Sequence, residues 1–95
     1  MAMTPELKAQ WIAALRSGEY TQGRHALNPA PGYYCCLGVL CMVLGRPDFI
    51  KSPQTYEHLR QASGLTNSET DGLVELNDIA RQSFNQIADY IEVYL

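Results

Sequence analysis

The 95-residue chain is 46% hydrophobic and 18% charged, with a formal net charge of −3. That length supports one hydrophobic core and excludes two independent ones, and the hydrophobic share excludes wholesale disorder. No apolar run approaches the roughly 18 residues that span a bilayer, and the longest, Cys35 to Leu44, is interrupted by Gly38.

Helix signals recur along the chain. Thr4 is a good N-cap, Pro5 takes the first helical position, and Glu6 complements the helix dipole. Leu7, Trp11 and Leu15 recur every four residues with Ile12 beside them, and Gly18 is the stop, so a helix is predicted over 5–17. Gly18, Gly23, Pro29, Pro31 and Gly32 then deny the chain a long regular element. Tyr33 to Cys35 is expected to be extended and to lead into a central buried helix over 36–44, closed by Gly45 and Pro47. Periodicity alone does not separate a buried helix from a buried strand in so short a run.

Ser52-Pro53 repeats the cap-plus-proline start, with Tyr56, Leu59 and Ala62 as the inward stripe and Gly64 as the stop. Thr66 with Glu69, and Ser68 with Asp71, are overlapping cap candidates before Leu73, Leu76 and Ala80. Ser83 and Gln86 form a capping box ahead of a last helix over 84–94, whose core face is Phe84, Ile87, Ala88, Ile91 and Leu95. The expected fold is therefore mainly α. It is one compact domain, 1–95, of four to five short helices, with a glycine-rich irregular segment and a short β-hairpin or strand near 20–35.

The net charge conceals an asymmetry. Residues 1–60 carry six Lys/Arg against four acids, whereas 61–95 carry Arg81 alone against Glu69, Asp71, Glu75, Asp78, Asp89 and Glu92. The basic residues form no cluster of the kind that displaces counterions from phosphates, so direct nucleic-acid binding is not expected. Three cysteines, Cys35, Cys36 and Cys41, in a chain whose start lacks signal-peptide character argue for a reducing, cytoplasmic compartment without disulfides. Their spacing is not that of a zinc site, and no metal or cofactor is expected. Their apolar setting would raise a thiol pKa, which favours a buried structural role over nucleophilic catalysis with His25 or His58.

Two groups of residues stand out. In the first, Arg24 offers a fork of donors, Gln22 and Gly23 adjoin it, and Tyr20, Tyr33 and Tyr34 offer stacking faces. These could make a small anion or nucleotide pocket, or could equally be structural, with Arg24 paired to an acid and the tyrosines walling the core. In the second, Asp71, Glu75 and Asp78 lie at i, i+4 and i+7 on one helix face. They read either as a solvated face or as an acidic stripe for a basic partner surface. Asn77-Asp78 reads as a turn held by local side-chain-to-backbone bonds.

Four motifs carry a family resemblance: Gln22-Gly23-Arg24, Cys35-Cys36-Leu37-Gly38-Val39-Leu40-Cys41, Leu76-Asn77-Asp78, and Ser83-Phe84 with Ile87-Ala88-Asp89. Through them the chain resembles a family of small uncharacterised bacteriophage and prophage proteins, which implies a viral origin, a bacterial host cell and no particular mechanism. The resulting expectation is a non-enzymatic accessory protein that binds a host protein, as a counter-defence or host-modulating inhibitor. The alternative, from another class, is a binder of a small anionic ligand through residues 20–34. A cysteine- or carboxylate-dependent enzyme ranks third. The oligomeric state is left open.

Overall fold

Thr4 begins the first helix as expected: its side chain accepts the Leu7 N–H at 3.2 Å, and Pro5 follows at the first position. The computed structural model of the protein describes residues 3–23 and 32–95. Helix α1 (Pro5–Arg16) buries Trp11 and Leu15 and packs chiefly on the last helix and on the central one. Two short strands, β1 (Thr21–Gln22) and β2 (Tyr33–Tyr34), pair in parallel, with Thr21 opposite Tyr33 and Gln22 opposite Tyr34. A parallel pair cannot be a hairpin, so of the two expectations for 20–35 strands form and a hairpin does not.

Helix α2 (Cys36–Val43) lies at the centre, with every residue from Cys36 to Cys41 buried. A 3₁₀ turn over Pro47–Lys51 follows, which the sequence reading lacks. Helix α3 (Thr55–Ser63) starts two residues beyond the proposed proline and ends at Gly64, whose φ of +86° is the left-handed conformation that glycine tolerates best. The late start has a local cause. The Ser52 hydroxyl accepts the Gln54 N–H, while the Thr55 hydroxyl donates to the carbonyls of Phe49 and Ser52. These bonds bind Thr55 to the 3₁₀ turn and rotate the helix, so its buried row is Thr55, Leu59 and Ser63 rather than Tyr56, Leu59 and Ala62.

Helix α4 (Asn67–Asp78) opens on the Thr66–Glu69 capping box and buries Thr70, Leu73 and Asn77. It ends before Ala80, which is exposed, and Arg81 takes a left-handed φ of 54°. Helix α5 (Phe84–Tyr94) opens on the Ser83–Gln86 box and buries Phe84, Ile87, Ala88 and Ile91. Helix α1 is tied to α5 by Arg16, which reaches Asp89 at 2.6 Å and Glu92 at 3.4 Å. The radius of gyration is 11.7 Å, against roughly 12 Å for a compact chain of this length. No helix among the described residues is long and apolar enough to cross a membrane.

Candidate functional site

The most distinctive sequence motifs meet inside the protein. Asn77, fully buried on α4, uses every position its amide offers. Its Nδ2 donates to the Gly23 carbonyl at 2.9 Å and to Asp78 Oδ1 at 2.8 Å. Its Oδ1 accepts from Gln22 Nε2 at 2.9 Å and, at 3.4 Å, from the Cys36 N–H. The last contact supplies an acceptor to the start of α2, where Cys35 provides no side-chain cap. Gln22 Nε2 also donates to the Gln82 carbonyl at 2.7 Å, and the Gly23 N–H to the Tyr34 carbonyl at 2.8 Å. On the far side of α2, Trp11 Nε1 donates to the Cys36 carbonyl at 2.9 Å. Asn77 is thus a long-range hub, in contrast to the local turn residue expected from its Asn-Asp context. A hydrogen-bonded network centred on a buried, saturated amide rigidifies what it joins: here β1, β2, α2 and α4.

This network accounts for much of the first candidate group. Gln22 is half-buried and bonded within the fold, and Gly23 is buried with both backbone groups paired. Tyr20 and Tyr34 are half-buried and meet edge to face, with ring centroids 5.4 Å apart. Tyr33 is exposed. Arg24 and His25 lie outside the described residues.

The cysteines are free and buried. Burial pushes the Cys35 thiol up to about 11 and the Cys41 thiol up to about 12, and also holds Cys36 well above its ordinary value. Such thiols are protonated at neutral pH and poor nucleophiles. Among the described residues no group of three or more His, Cys, Asp or Glu is placed to hold a metal ion.

The acids of the second half divide by role. Glu69 closes a capping box, Asp89 and Glu92 receive Arg16, and half-buried Asp78 accepts from Asn77. Asp71 and Glu75 are exposed, and neither has a side-chain partner among the described residues. Both line a groove of about 560 Å³ between α3 and α4, together with Tyr56, Arg60, Val74 and Ile79. Tyr56 is 40% exposed and Ile79 is 75% exposed. Partial burial raises the Tyr56 phenol above its ordinary range, so it stands in the groove as a neutral donor.

Of the expected acidic stripe, Asp71 and Glu75 line the groove while Asp78 is bonded to Asn77 instead, and Tyr56, Arg60, Val74 and Ile79 are no part of that expectation. Tyr56 reads as core until the Thr55 bonds are known to rotate α3. Ile79 follows the Asn77-Asp78 helix end that the sequence predicts, and only the placement of α3 beside α4 makes it a groove residue.

No curated protein and no solved structure matches the chain. Residues 3–48, just under half of it, match a family described as a domain of unknown function, DUF8296. The match takes in α1, both strands and α2, leaves out the groove, and makes the first half of the chain similar to a family whose description carries no activity.

Proposed function

We propose that the protein is a non-enzymatic binding protein of phage or prophage origin, which docks a host protein on the α3/α4 groove to counter a defence or modulate the host. One observation carries this reading. Of the six acids in residues 61–95, the two without an intramolecular partner among the described residues are those that border exposed apolar side chains. An exposed apolar patch rimmed by charge is a common form of interaction site. The small-ligand reading has less support, because Gln22 and Gly23 direct their polar groups into the fold. Catalysis has less again, since the buried thiols are held in their protonated form.

The test is affinity capture from bacterial lysate with the wild-type protein and with D71K/E75K, quantified by mass spectrometry. A partner retained by the wild type should fall at least about tenfold with the double reversal, because like charges then face each other across the interface. Equal recovery by both proteins overturns the reading.

A further inference from the structure

The groove also indicates the shape and charge of its occupant. Each wall is a helical row of side chains. Helix α3 presents Tyr56 and Arg60 at i and i+4, and α4 presents Asp71 and Glu75 at i and i+4 with Val74 beside them and Ile79 following at its C-cap. Rows at this spacing are the ridges against which a further helix packs. The α4 row spans about 12 Å, or roughly two helical turns. That row is longer than one inserted side chain would cover. Arg60 also lines a separate groove, of about 330 Å³, bordered by Thr4, Leu7, Gly64 and Thr66.

The charges are arranged asymmetrically. The α4 wall is anionic at Asp71 and Glu75 and apolar at Ile79, whereas the α3 wall carries one cation, Arg60, beside an aromatic ring. We infer that the groove takes a basic amphipathic helix of the partner. Its aliphatic side chains would enter between Tyr56, Val74 and Ile79, and a Lys or Arg pair at i and i+4 would face Asp71 and Glu75. This is the helix-in-groove mode of recognition, in which apolar anchors supply affinity and flanking charge supplies orientation. The inference rests on the binding reading above and names the chemistry of the partner. Arg60 repels cations from the α3 side and so selects helices whose basic residues lie along one edge.

The experiment uses the full 95-residue protein and two end-blocked amphipathic peptides, one of Leu and Lys and one of Leu and Glu in the same pattern. Binding is followed by fluorescence anisotropy and by amide shift mapping. The Lys peptide should bind and shift the Tyr56, Val74 and Ile79 amides, and the Glu peptide should not. D71K/E75K should weaken the Lys peptide at least about tenfold and gain the Glu peptide. Arg60→Gln should tighten the Lys peptide about threefold by removing a like charge at the rim. Equal binding of both peptides, shifts confined to another face, or an affinity unchanged in D71K/E75K would each overturn the inference. So would self-association through the groove that excludes the Lys peptide, since the occupant would then be a second copy. If the peptide arm fails while host capture still depends on Asp71 and Glu75, the helix occupant is wrong and the binding reading stands. Capture insensitive to the double reversal removes the reading itself.

Discussion

Helix α4 carries two faces with opposite uses of polarity. On the inner face, Asn77 is buried and saturated with hydrogen bonds to Gly23, Gln22, Cys36 and Asp78. On the outer face, Asp71 and Glu75 are exposed and without a side-chain partner among the described residues, beside the apolar Tyr56 and Ile79. The inner face is where Gln-Gly, Cys-Cys and Leu-Asn-Asp meet, and those motifs catch the eye in the sequence. Their convergence is explained by the cost of leaving buried polar groups unmatched, so no ligand is required to account for them. The outer face is built from ordinary residues, yet its charges have no task in the fold. A short motif can record a packing requirement, while a binding surface can consist of residues that only their surroundings distinguish.

The strongest way to break this contrast is to remove the hub. Asn77→Ala leaves the Gly23 carbonyl buried without its side-chain donor and the first N–H of α2 without its side-chain acceptor. Stranding buried polar groups of this kind should cost about 2–4 kcal/mol, a large part of the stability of a small domain. Urea denaturation should show the loss directly, and the melting temperature should fall by more than about 10 °C. A variant within about 0.5 kcal/mol of the wild type would mean that water replaces the amide and that the inner face is not a structural device.

The same contrast explains what the sequence made legible. Three of the helix starts are legible because caps act over three residues: Thr4, Thr66 and Ser83 each bond where the local pattern predicts, whereas α3 starts beyond its predicted cap. The buried core of α2 was readable from apolar content alone. The rotation of α3 was not, because it depends on Thr55 reaching back to the carbonyl of Phe49, a contact that helical periodicity does not encode. The role of Asn77 is hidden from the sequence for a related reason. Its nearest sequence neighbours suggest a turn, but three of its four bonds run to residues more than 40 positions away. Asp71, Glu75 and Asp78 are legible as an acidic stripe, but that the first two border apolar side chains while Asp78 turns to Asn77 emerges only once the helices are packed.

A second, smaller effect should follow pH through the core. The Cys35 thiol is raised from about 9 to about 11, chiefly by burial, so the fold holds its neutral form. That contribution is complete below about pH 9. Above it the unfolded chain loses the proton first, and stability falls by about 1.4 kcal/mol per pH unit until the thiol also ionises in the folded state, near 11. Cys36 and Cys41, also raised by burial, act in the same direction. Denaturation curves between pH 9 and 11 should therefore have a slope that is shallower in Cys35→Ala by about that amount. An unchanged slope would show that the thiol is hydrated in the native state.

The smallest effect on stability belongs to the outer face, and its smallness is what sharpens the comparison. D71K/E75K reverses two charges without touching a buried atom. Asp71 lies in the N-terminal half of α4, where an anion is slightly favoured by the helix dipole, and Glu75 lies towards the C-terminal end, where a cation is. Reversing both makes the first position slightly worse and the second slightly better, and it replaces one like-charge i,i+4 pair with another. The two dipole effects oppose each other, so the melting curve should stay within about 0.5 kcal/mol of the wild type. A larger loss would show that Asp71 and Glu75 support the fold. With stability unchanged, any loss of a captured partner or of a bound basic peptide is a property of the surface alone, which separates a face that builds the protein from one free to bind something else.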